Sequence, residues 1–277
     1  MLPREIPAPV AAPVFRESVT DEPPRTGKGM SDELERAELL VREAWEKPNG
    51  RARVALARKA IAICSDTPDA WVLLGYFGEG NWYKKRSSFE RAVEVATKSL
   101  GGKQLMKRFK GRFWVEVETR PYMRAREGLG YSYWKTGDRE KAINEYKDLL
   151  ELNPPDDQGV RYRLASWYLR QARHKDLTAL LQRFANDPSA TWPWTHALLA
   201  FVTEGNTPNS RLQLRAARYA NRSVADHLLG RKLIPPQPPE VIGMGDEREA
   251  LAYALENLEC WNMMPGAVAW LAANEAD

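Results

Sequence analysis

The sequence is poor in the residues that build metal sites and disulfide frameworks. Its 277 residues include only two cysteines and three histidines. Cys64 and Cys260 each lie among apolar residues, and His174, His196 and His227 are far apart. Metal sites and disulfide frameworks need several such residues at short, fixed spacings. We therefore expect two buried thiols, a reducing cytoplasmic compartment, and no metal or cofactor.

Long apolar runs and catalytic motifs are also missing. No stretch approaches the ~20 apolar residues of a membrane span. Pro7, Pro9 and Pro13 interrupt the apolar start of the chain, which favours an extended arm over a signal peptide. No glycine-rich phosphate loop follows a strand, and no Ser or Cys nucleophile has a base at a recognisable spacing. The sequence therefore predicts a non-enzymatic protein without a membrane partner.

Strand signals are almost absent, whereas helix signals recur along the chain. Ser31 is a predicted N-cap with Asp32 and Glu33 in the first turn, where carboxylates suit the helix dipole. Apolar residues then recur at helical spacing, and Pro48-Asn49-Gly50 ends that helix. A chain of short helices of this kind is typical of helical repeat proteins.

The clearest repeat lies at residues 123–157 and alternates small and bulky positions. Small Gly130 and Ala142 should let two helices pack closely, while Gly137 permits the turn between them and Pro154 ends the second helix. The bulky positions are Leu129, Tyr133 and Tyr146. Further repeats fit residues 158–190 and 191–224. Their starts at 123, 158 and 191 bracket the ~34-residue period of the tetratricopeptide repeat.

The predicted fold is all-α, a tetratricopeptide-type α-solenoid of antiparallel helix pairs. Its predicted parts are a Pro-rich N-terminal arm at 1–30, a repeat array at 31–232, a Pro-rich linker at 233–245 and a C-terminal capping helix pair at 246–277. An insert at 101–120 interrupts the array. Solenoids need such caps, because a terminal repeat would otherwise expose its apolar face.

The segment from Glu118 to Leu164 goes beyond the generic repeat. Its stretches TRPYMRAR and LNPPDDQGVRY resemble a signature of uncharacterised bacterial tetratricopeptide proteins, a group similar to the repeat region of the suppression-of-tumorigenicity family. HLLGRKLIP and MMPGAVAWL resemble the C-terminal end of that group. The resemblance extends from about Cys64 onward, with Pro155 standing where an Asn is usual. It implies a helical fold and an interaction role, but no reaction.

A tetratricopeptide array usually binds a peptide or protein segment in its concave groove. Aromatic and arginine side chains at such positions supply contact area and bidentate hydrogen bonds. The candidate groove residues are Arg124, Glu127, Tyr131, Trp134, Lys135, Tyr162, Ser166, Arg170 and Trp192. For Tyr131 and Trp134, packing on neighbouring helices is an equal alternative. The chaperone-binding subset is disfavoured, because Glu127 and Tyr131 replace the Lys and Asn that clamp a terminal carboxylate.

Of the three arginines in the stretch ETRPYMRAR, two have different predicted environments and Arg120 remains unassigned. The stretch begins a helix, with Thr119 as its N-cap and Pro121 in its first turn. Arg124 falls at a groove position and is the one expected to contact a ligand. Arg126 falls at a packing position, and we expect it to pair internally with a carboxylate of Glu118 or of a neighbouring repeat.

The insert carries a basic patch, which opens a second functional alternative. Its cations are Lys103, Lys107, Arg108, Lys110 and Arg112, interleaved with Phe109, Phe113 and Trp114. These residues suit phosphate contacts and base stacking. The favoured interpretation is an amphipathic helix with a solvated basic face and docked aromatic rings, since no nucleic-acid motif accompanies it. A third alternative is a structural subunit of a larger complex, anchored by the Pro-rich arm.

Overall fold

The computed structural model describes residues 31–102, 107–235, 239 and 242–275. Over these residues the chain forms thirteen α-helices, one short 3₁₀ turn and no strand, so the predicted all-α class is confirmed. The predicted Pro-rich arm, Lys103 and part of the predicted linker lie outside the described residues. The chain divides at residue 160 into two units. The predicted domain boundaries stay predictions.

The first unit, described over residues 31–102 and 107–160, contains six of these helices, joined by short turns except where the insert lies between the fourth and the fifth. They are α1 (Asp32–Glu46), α2 (Gly50–Ile63), α3 (Pro68–Phe77), α4 (Trp82–Ser99), α5 (Arg120–Lys135) and α6 (Arg139–Leu152), with a 3₁₀ turn at Val117–Thr119. Each helix packs against the next, and α3 also packs against α5. Ser31 caps α1 as predicted, since its hydroxyl accepts a hydrogen bond from the Leu34 amide at 3.2 Å.

The core of the first unit centres on the Phe89 ring of α4. Phe89 is fully buried, between Gly75 of α3 and Gly128 of α5. A Cβ added at Gly75 would lie 2.5 Å from the ring, and one at Gly128 would lie closer still. Real Cβ atoms do not approach carbon that closely, so the two glycines are what admit the phenyl ring between their helices.

The helix pair α5–α6 is built on the predicted small-against-bulky contact. A Cβ at Gly130 would lie 2.8 Å from the Tyr146 ring, which is fully buried. Gly137 adopts φ +90°, a left-handed conformation, in the turn between the two helices. The close approach and the turn predicted from these glycines are therefore both present.

The insert docks its aromatic rings into the first unit. Phe109, Phe113 and Trp114 are buried, and the Phe113 amide donates to the Leu152 carbonyl at 3.2 Å. Thr119 precedes α5 as predicted, but its hydroxyl does not cap that helix. It donates instead to the carbonyls of Phe113 and Glu116, because the chain turns back on itself there. Thr119 thus fixes the end of the insert rather than the start of the helix.

The second unit, described from residue 161 to residue 275, contains the remaining seven helices. They are α7 (Val160–Arg170), α8 (His174–Arg183), α9 (Thr191–Glu204), α10 (Pro208–Ala220), α11 (Ser223–Leu228), α12 (Glu247–Met263) and α13 (Ala267–Ala273). α9 packs against α10, and α11 against α12. Its apolar core is an aromatic cluster, in which Trp194 contacts Tyr253 and Trp261, and Trp270 stacks on Phe201 and Trp261.

A buried polar network joins α9, α10 and α12 within the second unit. The buried Glu249 carboxylate accepts hydrogen bonds from the Ala190 amide at 2.9 Å, the Gly245 amide at 2.8 Å and the Asn221 side chain at 3.1 Å. The Asn221 carbonyl accepts in turn from the Trp194 indole at 3.0 Å. A buried carboxylate needs such partners, because water cannot reach it. The C-terminal helices predicted as a cap are thus integrated into this unit's core.

Candidate functional site

Most of the predicted groove residues are buried. Arg124, Glu127, Tyr131, Trp134, Tyr162, Ser166 and Trp192 are buried, Arg170 is partly buried and Lys135 is exposed. Five of the nine belong to α5 and four to the second unit, and we describe the two groups separately. The sequence analysis placed these positions in a concave groove that contacts a partner, whereas in the structure neighbouring helices cover seven of the nine. Their role in partner binding stays a prediction.

Arg124 is engaged inside the first unit. Its Nε and Nη2 donate to Asp69 of α3 at 2.9 and 2.6 Å, and both side chains are nearly inaccessible. The sequence expectation placed this guanidinium against a ligand, but the structure places it in a buried bidentate ion pair. The reason is that α3 brings a carboxylate from 55 residues away, which repeat positions do not reveal.

The neighbouring α5 residues are also satisfied internally. Glu127 accepts a hydrogen bond from the Gln158 amide at 3.2 Å. Arg126 pairs with Glu145 and with Asp148 of α6, and its Nη1 reaches the Tyr122 hydroxyl. Burial opposes its charge, but the carboxylate and the tyrosine outweigh burial and raise the pKa of Arg126. The predicted internal pairing of Arg126 is present, with Glu145 as partner rather than Glu118.

The four candidates of the second unit hold their own unit together. Tyr162 donates to Asp187 at 3.0 Å, and the Trp192 indole donates to the Leu181 carbonyl at 3.3 Å. The Ser166 hydroxyl lies 3.4 Å from the sulfur of buried Cys260, whose pKa is raised by burial. Arg170 pairs with Glu259 at 2.7 Å. A buried thiol of raised pKa is a poor nucleophile, so this cluster is structural.

A cluster of mixed character lies where α4 begins and α5 ends, with Lys135 exposed, Trp82 and Lys85 partly exposed and Tyr131 buried. It consists of Trp82, Lys85, Tyr131 and Lys135, which we call the aromatic–cationic surface. The Trp82 and Tyr131 rings meet edge to face at 5.2 Å, and the ammonium groups of Lys85 and Lys135 lie 5.0 and 5.7 Å from the Trp82 ring centre. Asn81 positions it, because its side chain caps α4 through the Lys84 amide at 3.1 Å.

Lys85 is the electrostatically unusual member of this surface. Its ammonium donates to the Tyr76 carbonyl at 3.3 Å, and within the part of the chain that the structure describes it has no carboxylate partner. Partial burial lowers the pKa of Lys85, because desolvation disfavours the charged form. Such a site favours an incoming anion, which would restore the lost electrostatic stabilisation.

Beside this surface, a second cation lies over aromatic rings, but its charge is compensated by a carboxylate. Arg86 lies over the rings of Tyr83 and Tyr133 and pairs with Asp138 at 2.9 Å. The contrast with Lys85 is informative, since only one of the two adjacent cations has its charge compensated within the described chain. The sequence analysis included Tyr131 and Lys135 but missed Trp82 and Lys85. An aromatic residue directly after an Asn N-cap, with Lys three residues later, is the signal that points to them.

The basic patch of the insert is split by the fold. Lys107, Arg108, Lys110 and Arg112 are exposed, and Arg112 pairs with Glu116. Because the aromatic rings between them are buried, they are not available for base stacking. The rings are docked and the cations solvated, as the sequence analysis favoured, but the predicted amphipathic helix is not present over residues 109–114, which form turns, and Lys103 lies outside the described residues.

Over the described residues, His, Cys, Asp and Glu form no group that could hold a metal ion. None of the helices that the structure describes is long and apolar enough to cross a membrane.

Comparison with known proteins identifies distant relatives. No family model matches the chain. A human protein named Suppressor of tumorigenicity 7 protein-like is 23% identical over 259 residues, which cover 86% of this chain and 45% of the human protein. Proteins of the same name from Danio rerio and Gallus gallus are 24% and 23% identical over 87% and 86% of this chain, which matches 44% and 46% of their lengths. The chain thus spans about half the length of the curated relatives it matches.

These relatives support the family resemblance that the sequence analysis stated. The chain is similar to suppressor of tumorigenicity 7-like proteins, as the stretches TRPYMRAR and LNPPDDQGVRY indicated. The tetratricopeptide character of its repeats stays a prediction.

Proposed function

We propose that the chain is a non-enzymatic adaptor of the tetratricopeptide type that binds an acidic segment of a partner protein. The repeat assignment is supported by the helix pairs α5–α6 and α9–α10 at the predicted positions, and by the fit of Gly130 against Tyr146. Binding is assigned to the aromatic–cationic surface of the first unit.

The observation that carries this proposal is the uncompensated Lys85 ammonium on the Trp82 face. A partner carboxylate placed there would gain a partly desolvated ion pair, while the accessible part of Trp82 supplies apolar contact area. Lys135 adds a second positive charge on the same ring. An acidic peptide fits this arrangement better than a basic or purely apolar one.

Affinity capture with mass spectrometry tests the proposal. Full-length wild type is compared with Lys85→Glu and Trp82→Ala in lysate of the native host. A matched control is Lys59→Glu, the same charge change at an exposed position of α2. We expect both surface variants to lose the same partners and the control to keep them. Equal recovery by all four proteins would contradict the proposal.

A pH profile with the recovered partner identifies the residue responsible. Affinity should fall as pH rises through the lowered pKa of Lys85, because the neutral amine no longer attracts a carboxylate. In Lys85→Met this pH step should disappear. A step that persists in Lys85→Met would assign the binding to another group.

Nucleic-acid binding through the insert is the weaker candidate. Its exposed cations remain, but its buried rings remove the stacking contribution. Titration of labelled single-stranded RNA at low salt tests it. Binding that weakens steeply with salt and is lost in Lys107→Glu/Lys110→Glu would support this alternative over the adaptor.

A further inference from the structure

A second surface lies on α10, in the other unit, and its charge is of one sign. From Gly205 to Ala225 the chain contains no Asp or Glu, but it contains Arg211, Arg215, Arg218 and Arg222. Elsewhere in the same unit arginines are paired with carboxylates, as Arg161 is with Asp187 and Arg231 with Glu275. α10 therefore differs from the rest of its unit, because it has arginines but no acidic residue of its own.

The outer face of α10 combines these cations with large apolar side chains. Leu212, Arg215 and Tyr219 follow one another at i, i+3 and i+7, so they lie on one side of the helix. Leu212 is 54% exposed and Tyr219 is 95% exposed. The opposite side is the one that packs, since Ser210, Leu214 and Ala217 are buried. A leucine and a tyrosine on the same exposed stripe are a typical contact composition.

Arg215 and Arg222 are not neutralised by carboxylates within the described residues. Arg218, by contrast, lies near enough to Glu275 to help the hydrogen-bonded Arg231 lower the pKa of that carboxyl group. Arg211 donates to the Asn206 side chain at 3.0 Å and Arg218 to the Asn274 carbonyl at 3.0 Å, both uncharged acceptors. Across the described residues, the side chains of Arg215 and Arg222 make no hydrogen bond or ion pair. Three like charges on α10, with Arg222 two residues beyond its end, repel one another, and an acidic partner would relieve that repulsion.

We propose that this face of α10, formed by Leu212, Arg215 and Tyr219 together with Arg222 just beyond the end of the helix, docks an acidic amphipathic helix of a partner protein. α10 has 13 residues, which at 1.5 Å per residue gives a stripe about 20 Å long, suited to a helix of three to four turns. The exposed leucine favours a peptide over nucleic acid, because a phosphate backbone offers no apolar surface for it. This surface belongs to the second unit and shares no residue with the aromatic–cationic surface, and the inference goes beyond the proposed function.

Selection from a phage-displayed library of random peptides on the full-length protein tests the proposal. The selected peptides are then measured by fluorescence anisotropy against wild type and variants. We expect a class rich in Glu, Asp and Leu whose affinity falls about tenfold or more in Arg215→Glu/Arg222→Glu, because two attractive charges become repulsive. Tyr219→Ala should weaken the same peptides about fivefold through lost contact area.

Matched controls separate the two surfaces. Arg58→Glu/Lys59→Glu makes the same charge change at exposed positions of α2 and should leave these affinities within twofold of wild type. Lys85→Glu should also leave them unchanged, so that failure of the first-unit proposal is distinguishable from failure here. The proposal is overturned if no acidic class is selected, or if Arg215→Glu/Arg222→Glu binds every peptide like wild type. It is also overturned if labelled single-stranded RNA binds this face and displaces the peptides.

Discussion

The cores of the two units are stabilised by different kinds of contact. In the first unit, glycine backbones of α3 and α5 accept the ring of Phe89, and Gly130 accepts Tyr146. In the second unit, indole and phenol rings stack around Trp194 and Trp261, and the Glu249 carboxylate joins three chain segments by hydrogen bonds.

This difference shows how helices reach a close-packed core by two routes. Close approach through glycine depends on shape alone, so it tolerates little change in volume. A polar network depends on every donor and acceptor being matched, so it tolerates little change in chemistry. The two routes should therefore respond to different substitutions, and the following experiments test that expectation.

The largest expected effect is on the first unit, from Phe89→Ala. Removal of a fully buried phenyl ring should cost about 4 kcal/mol, because the two glycines opposite it leave a cavity. Hydrogen–deuterium exchange in urea should show faster exchange in α3–α5. Exchange in α9–α12 serves as the internal control. Uniform acceleration in both units would show that their stabilities are not independent.

The second-largest effect is also expected in the first unit. It qualifies the contrast between glycine packing and polar networks, because this unit also contains a buried ion pair. Asp69→Ala leaves the Arg124 guanidinium buried without its carboxylate and should cost about 3 kcal/mol. The double variant Asp69→Ala/Arg124→Met should recover most of this loss, since it buries no unpaired charge. Urea unfolding followed by the same exchange readout measures both. A double variant less stable than Asp69→Ala would show that the two side chains act independently.

Glu249→Gln tests the second unit at nearly constant volume. The amide places a donor where three donors already point at the carboxylate, so we expect a loss of about 2 kcal/mol. The loss should appear in α9–α12 and not in α3–α5. A matched control is Glu259→Gln, which changes an exposed carboxylate of the same helix. Equal effects of the two changes would rule out a special role for the buried network.

The smallest effect concerns an exposed ion pair of the second unit. The hydrogen bond from Lys232 at 2.8 Å holds the pKa of Glu247 below its ordinary value of 4.5. Because the folded pKa is the lower one, the stabilisation is present above about pH 4.5 and is lost as pH falls through the lowered pKa. Its size should be below about 0.5 kcal/mol. Unfolding of wild type and Glu247→Gln at several pH values measures it, and a difference that grows as pH falls would contradict this sign.

Sequence reasoning predicted more of the fold than of the site. The helical class, the turn at Gly137 and the close contact at Gly130 follow from local spacing and glycine's lack of a side chain, whereas the three repeats themselves stay a prediction. The contact partners of individual side chains could not be predicted from local spacing. Arg124 had the composition of a binding residue, yet Asp69 on another helix takes both of its donors.

Local patterns in the sequence were enough to predict a helical chain, the turn at Gly137 and the close contact at Gly130, because helical periodicity and glycine sterics are local properties. Which groove candidates are buried and which charges remain uncompensated became clear from the tertiary structure. Arg124 and Arg126 found carboxylates on other helices, whereas Lys85 and Arg215 did not within the described chain. That outcome depends on which helices come together, since an ion pair forms between residues that are distant in sequence. The cations left without carboxylates are those that the proposed partner surfaces use.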